Sequence, residues 1–325
     1  MSIKKILGIG CLLLGAIVSE VAMAQGGSFP VRPMCFFVPY APGGVGDLTA
    51  RIVAQKMSEH LGQPVVIENR PGAGMVIGTS AVAKAEPDGY TMGLTGNGHT
   101  LAHSLFKSLP YDISKDFAHV STIGFFDLAI FVSPKSNFRT LEDLINHAKA
   151  NPGKVNIGSI SIGSTQHLAA ELFKSMSGID ATVVPFRSSA DVIAAAIGQT
   201  VDASVEILAP LMGQIRGDLV RPLAVTSKSR FASFPNIPTV SERAVPGYEA
   251  ASWNGVSVPA GTPDGPIQRL NEAVNHALAQ PDVKARMLEL GVSSRGSSSI
   301  AMRDLINADI AKWKAVIDRS NIPRQ

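Results

Sequence analysis

Three short stretches carry residue types that could do chemistry. The first, "VPYAPGGVGD" (38–47), sets Tyr40, Ala41, Pro42, Gly43 and Gly44 between an apolar run and an amphipathic one that opens with an acid, Asp47. The second, "GNGHT" (96–100), holds Asn97 and His99, and the third, "SISIGST" (159–165), holds Ser161, Gly163, Ser164 and Thr165. Glycine lets a backbone come close to a ligand, and the uncommitted N–H groups of a helix's first turn favour an anion. One such loop is ordinary turn chemistry. Three at corresponding strand ends make a stronger case for a ligand site.

Other chemistries fit these residues less well. His99 and His103 are spaced like two ligands on one helix face, but no partnering Glu and no third ligand follow, so no metal and no cofactor are expected. Ser164 and His167 offer a nucleophile and a base without an elbow motif around the serine. "PGAGMVIG" echoes a dinucleotide loop, yet its third glycine comes one residue late. Asp47 belongs to the candidate ligand-binding set by position, though it reads first as a cap that shapes its loop, since it would repel a bound anion.

These stretches need elements to hold them. "CFFVPY", "PVVIEN" and "YTMGLTG" read as strands, alternating with helical runs from Asp47 to Gly62, from Gly78 to Ala85 and over "HTLAHSLFK". The order then restarts with the strand "LAIFVSP" and the helix "TLEDLINHAKAN", followed by the strand "KVNIGSIS" and the helix "STQHLAAELFKSMSG". The strand "ATVVPF", the helix "SADVIAAAIGQ" and the strands "VDASVE" and "PLAVTS" come next. "FASFPNIPTVSERAVPGYE" is Pro-rich and irregular, and after "SWNGVSVP" two helical runs close the chain. Two α/β units of parallel strands covered by helices imply two lobes around a cleft. In such sheets ligands bind beyond the carboxyl ends of the strands, where all three loops fall.

The bulk numbers narrow the class. Of 325 residues, 45% are hydrophobic and 17% charged, an ordinary globular balance. The 29 basic and 26 acidic residues form no dense basic stripe, which excludes a nucleic-acid footprint. Residues 1–24 read as an export signal: Lys4 and Lys5, an apolar core from Ile6 to Val18, and a small-residue cleavage site at Ala22-Met23-Ala24. Cys11 lies inside that core, not at its end, which disfavours a lipoprotein. Cleavage leaves Cys35 as the one cysteine, expected as a buried, inert thiol. The mature chain is expected in the periplasm, as a monomer.

"PVRPMCFFVPYAPGGVGDLTARIVAQKMSEHLGQPVVIENRPGAGMVIGTSAVAKAEPDGYTMGL" resembles the extracytoplasmic receptors of tripartite tricarboxylate transporters, the Bug family. "VNIGSISIGSTQHLAAELF" and "RPLAVTSKSRFASFPNIPTVSE" carry the likeness over nearly the whole mature chain. The resemblance implies the α/β periplasmic-binding-protein (Venus flytrap) fold, with lobe 1 from 25–124 and 250–325 and lobe 2 from 125–249. It implies no enzyme activity, a small carboxylate as ligand and membrane subunits of a tripartite tricarboxylate-type transporter as partners. Tyr40 to Gly44 would face Ser161, Gly163, Ser164 and Thr165 across the cleft.

One departure bears on the ligand. Relatives commonly read Tyr-Lys-Gly-Gly where this chain has Arg187-Ser188-Ser189, and Glu206 stands where a shorter Asp is frequent. Arg187 is a candidate clamp for a second carboxylate, with Ser188 beside it, and its plainer alternative is a surface pair with Glu206 or Asp191. A dicarboxylate, aliphatic or aromatic, is therefore the expected ligand, and Glu206 would matter for an amino acid. The alternatives are a sensor that presents its ligand to a signalling partner and a hydrolase built on Ser164 and His167.

Overall fold

The computed structural model describes residues 29–324, so the expected leader at 1–24 lies outside the described residues. The first half of the chain runs β1 (Met34–Val38), α1 (Val45–Leu61), β2 (Val65–Asn69), α2 (Val76–Ala83), β3 (Thr91–Gly96), α3 (Asn97–Leu105) and β4 (Phe117–Val132), then α4 (Leu141–Ala150) and β5 (Val155–Ile160). Next come α5 (Thr165–Ser177), β6 (Ala181–Phe186), α6 (Ser189–Ile197), β7 (Ala203–Ile207), α7 (Leu208–Arg216), β8 (Arg221–Val225) and α8 (Val240–Arg243). The chain ends with β9 (Ala251–Pro259), α9 (Asp264–Ala279), α10 (Pro281–Glu289), β10 (Val292–Ser294) and α11 (Ser299–Arg319).

The strand order β2-β1-β3-β9-β4-β7-β5-β6 makes two lobes from one continuous path, with β8 and β10 also on β4. In lobe 1, β1 lies between β2 and β3, parallel to both. Strands covered on both faces read as continuous apolar runs, which is why "MCFFV" shows no alternation. Phe36, Val38, Met92 and Leu94 pack against Val53 and Met57 of α1 and Leu270 and Val274 of α9. Each such buried side chain contributes roughly 1.5–3 kcal/mol. In lobe 2, β5 lies between β6 and β7, parallel to both, under Leu144, Ile145, Leu168 and Phe173.

β4 joins the lobes. Its residues up to Asp127 pair with β9, and from Leu128 onward it pairs with β7 and β8. α11 also serves both: Met302 and Ile306 pack with Trp253 and Phe117, whereas Trp313, Val316 and Ile317 enter the lobe 2 core.

Four features differ from the sequence reading. β4 starts at Phe117, well before the expected "LAIFVSP", because two register shifts against β9 break its alternation. α7 was hidden by Pro210 and Gly213 and by its start directly after β7 with no side-chain cap. α10 and the three-residue β10 fill what read as a gap between two helical runs. Cys35 is half-buried at the partly covered flank of β1, not fully enclosed.

Candidate functional site

The loop after β1 turns at Gly43, whose φ of +87° suits glycine alone. Gly44 is extended (φ −74°) and caps α1 without a side chain. Leu48 N–H donates to Gly44 O, while the N–H groups of Val45, Gly46 and Asp47 make no hydrogen bond among the described residues. Asp47, 1% exposed, accepts from Gly43 N–H at 2.8 Å, from Arg51 Nε at 3.0 Å and from Asn69 Nδ2 at 2.8 Å. Burial alone would raise its pKa, but Arg51, Gly43 and Asn69 outweigh that and hold the carboxyl below its usual range. Asp47 therefore shapes the loop and does not face the cleft.

The loop after β5 repeats the device. Gly163 has φ +81°, and a Cβ there would collide with Leu105 of α3. The Ser164 hydroxyl accepts from His167 N–H at 3.1 Å, the usual cap of a helix start. The N–H groups of Thr165 and Gln166 remain uncommitted among the described residues. The Thr165 hydroxyl donates to Asn97 Oδ1 at 2.6 Å, across the lobes, so this residue offers the cleft its N–H first.

Between these helix starts lie two adjoining cavities that share Tyr40, Ser252 and Asn254. One, about 440 Å³, is bounded by Gly44, Val45 and Gly46 on one side and Ser189, Glu206 and Ile207 on the other. The second, about 330 Å³, reaches Gly98, Gly163, Ser164, Thr165 and Gln166. The described residues lining them include no Lys, Arg or His. A larger hollow of about 590 Å³ beside His103 and Asp112 shares only Phe106 with this cleft. Gly46 lies so close to the Tyr40 ring and Asn254 that a Cβ would stand 3.1 Å from Tyr40 Cδ2 and 3.4 Å from Asn254 Nδ2.

Several sequence candidates sit elsewhere. His99 is fully buried: Nδ1 accepts Gly96 N–H at 3.1 Å, and Nε2–H therefore donates to Thr79 Oγ1 at 2.9 Å. Burial lowers its pKa to about 4, so it is a neutral core histidine with no nitrogen left for a metal or ligand. Asn97 is equally buried, donating to Asp309 Oδ2 while it accepts from Thr165. Ala41, Pro42 and Ser161 are exposed and line neither cavity. Arg187 is exposed at the end of β6, outside the cavity walls, and forms an ion pair with neither Glu206 nor Asp191. The Ser188 hydroxyl caps α6 and donates to Asp191 Oδ2 at 2.8 Å. An arginine at a strand end can point either way, and only the fold decides which.

Glu206 does reach the cleft. Its Oε1 accepts from Gln166 Nε2 at 2.6 Å and from Ile207 N–H at 2.7 Å. Sequence reasoning missed Gly46, Gln166, Ser252 and Asn254. The last two come from β9, about two hundred residues after Tyr40, and carry no local motif. Gln166, beside the Gly-Ser-Thr turn, was open to the same argument as Thr165.

The serine–histidine reading fails on geometry. Ser164 Oγ contacts the backbone N–H of His167, not its ring, and His167 Nδ1 has no partner among the described residues. No proton relay connects them.

The family described as the tripartite tricarboxylate transporter family receptor matches residues 49–322. BugT of Bordetella pertussis is 34% identical over 310 residues, covering 94% of this chain and 95% of its own. A UPF0065 protein of Pseudomonas sp. (strain P51) is 35% identical over 89% of this chain and 87% of its own. Among solved structures, an R. palustris protein with adipate is 34% identical with a TM-score of 0.75, covering 91% of this chain and 99% of its own. A solute-binding protein from Polaromonas reaches a TM-score of 0.81 at 25% identity, covering 90% of this chain and 99% of its own. With its two α/β lobes and the cleft between their helix starts, the chain belongs to the tripartite tricarboxylate transporter receptors, the Bug-type periplasmic solute-binding proteins.

Proposed function

We propose that this receptor captures a small dicarboxylate in the interlobe cleft and presents it to the membrane subunits of a tripartite transporter. The observation that carries this reading is the pair of helix starts, α1 and α5, whose uncommitted N–H groups border one cleft with no cationic side chain among the described residues of its walls. Each helix start acts as roughly half a positive charge, and a desolvated carboxylate needs a donor on every oxygen. A receptor that recognises its ligand through backbone dipoles can release it without breaking an ion pair. Solved relatives with adipate and with malate support the choice of a diacid. In this reading the protein is exported by its leader to the periplasm and acts as a monomer, with the lobes dividing where β4 changes partners. Differential binding to the closed arrangement supplies the signal that the membrane subunits read.

The test is a thermal-shift screen of mono- and dicarboxylates, followed by calorimetry on Gly46→Leu. A ligand that binds only the native state raises its melting temperature. The leucine side chain would displace Tyr40 and Asn254 into the cavity. Binding should fall at least about tenfold, the effect of roughly 1.4 kcal/mol, while the protein still folds. Undiminished binding by this variant would place the ligand elsewhere.

A further inference from the structure

Among the described residues the cleft has one titratable carboxyl in its walls, that of Glu206, and its hydrogen bonding is lopsided. Both donors, Gln166 Nε2 and Ile207 N–H, converge on Oε1. Glu206 lines that cavity, and its Oε2 is fully buried and receives no hydrogen bond among the described residues. That is the pattern of a carboxylic acid: a carbonyl oxygen with both lone pairs used and a hydroxyl with its proton unspent. An ionised carboxylate would leave a charged oxygen with no donor, at the largest desolvation cost.

The electrostatics agree. Burial pushes the Glu206 carboxyl above its ordinary range, opposed by the bonds from Gln166 and Ile207 and by the Ser189 hydroxyl, which stands near without closing a bond to Oε2. The titratable and charged groups on the elements around it are His119 and Asp127 on β4, His167, Glu171 and Lys174 on α5, Asp191 on α6, and Arg216 on α7, with Tyr40 across the cleft. None of them is among the groups that shift Glu206. β5, its other neighbour, carries no charged residue.

We propose that Glu206 meets the ligand as a neutral acid, donating its Oε2 proton to a carboxylate oxygen of a dicarboxylate, so that capture depends on a proton. The inference rests on the receptor reading above and adds to it the identity of the distal contact. One carboxylate lies against the helix starts, and the other shares the proton of Glu206. No bond is made or broken; binding draws a proton from solvent to the fraction of receptors whose Glu206 is ionised. The ligand raises the carboxyl's pKa further in the complex. Affinity is therefore full below the free receptor's pKa and declines as pH rises through it, by about tenfold per unit until the pKa of the complex is passed.

The experiment is calorimetry with adipate, malate and acetate on wild type and Glu206→Gln, over a pH series rising from the ordinary glutamate value of about 4.3 to about pH 8. The glutamine keeps a carbonyl oxygen at Oε1 and offers an N–H donor at every pH, and the ligand's own titration is common to both proteins. Wild type should lose at least about tenfold in diacid affinity relative to the variant across this span. Titration of wild type alone in two buffers of different ionisation enthalpy should show proton uptake, a readout that stands even if the variant fails to fold. Parallel pH profiles, or no proton uptake, would overturn the proposal. So would a preference for the ω-amino monoacid of the same length as adipate, which requires an ionised Glu206 facing an ammonium. Binding of acetate without the diacids would overturn this inference and leave the carboxylate-receptor reading standing. Binding of no carboxylate at any pH would overturn both.

Discussion

Each side of the cleft buries an acid, and the two are treated in opposite ways. Asp47, in lobe 1, accepts hydrogen bonds on both oxygens from Gly43, Arg51 and Asn69, and its pKa falls despite burial. Glu206, in lobe 2, is as deeply buried, but both its donors reach one oxygen and its pKa rises. Burial is thus common to both. The difference is the number and placement of donors, and it separates a charge that braces a loop from a neutral group that faces a ligand.

Breaking the better-satisfied acid should cost most. Asp47→Ala removes the acceptor of the Gly43 N–H and one of the two acceptors of Asn69 Nδ2, which keeps Tyr40 O, and takes a screened partner from Arg51, which is 46% exposed and keeps Asn69 Oδ1. We expect a loss of about 2–4 kcal/mol in urea unfolding, together with weaker ligand binding as the loop loosens. A loss under about 1 kcal/mol, the worth of one ordinary hydrogen bond, would show that the loop holds its shape without the carboxylate.

A third buried acid sharpens the contrast in pH. Asp127, where β4 changes partners, is pushed up to about 6 by burial, against the pull of Ser227 and Arg295. Its folded pKa lies above the unfolded value of about 3.9, so the folded state holds the proton more tightly and stability declines as pH rises between the two. Glu206 acts in the same direction. Asp47, with a depressed pKa, contributes stability above the unfolded value that is lost as pH falls through the folded one. Asp127→Asn should therefore remove on the order of 2–3 kcal/mol of stability difference between about pH 4 and pH 6.5. Equilibrium unfolding across that range reads it, and an unchanged slope would mean Asp127 is solvated in the folded state.

Smaller effects belong to residues that the sequence placed near the ligand and the fold did not. Ser188→Ala removes the α6 cap and should cost about 1 kcal/mol of stability, with diacid affinity unchanged in calorimetry. Arg187→Ala should shift stability by less than about 0.5 kcal/mol, as exposed substitutions do, and leave the diacid preference intact. A lost preference in Arg187→Ala would return the distal contact to the arginine and remove it from Glu206.

Much of this could be read from the chain. "PYAPGGVGD" announces a turn with positive φ before a helix, and "SIGST" announces the same turn with a hydroxyl cap, because glycine conformation and capping are local properties. The alternation of strands and helices follows from patterning, which is local too. Local chemistry also marked Asp47 as scaffold before Gly43 was seen to donate to it. It failed where direction matters: His99 and Asn97 open a helix as ligand groups would, yet α3 turns both into the core.

The two α/β units, the glycine turns and the helix starts that follow them were legible in the chain, since each depends on residues within a few positions of one another. Which groups share the cleft depends on how distant segments fold together. β9 brings Asn254 and Ser252 beside Tyr40 from late in the chain, Gln166 reaches Glu206 from α5, and β6 leaves Arg187 in solvent. A carboxyl's charge depends on donors and burial supplied by distant segments, and no local pattern encodes that distance.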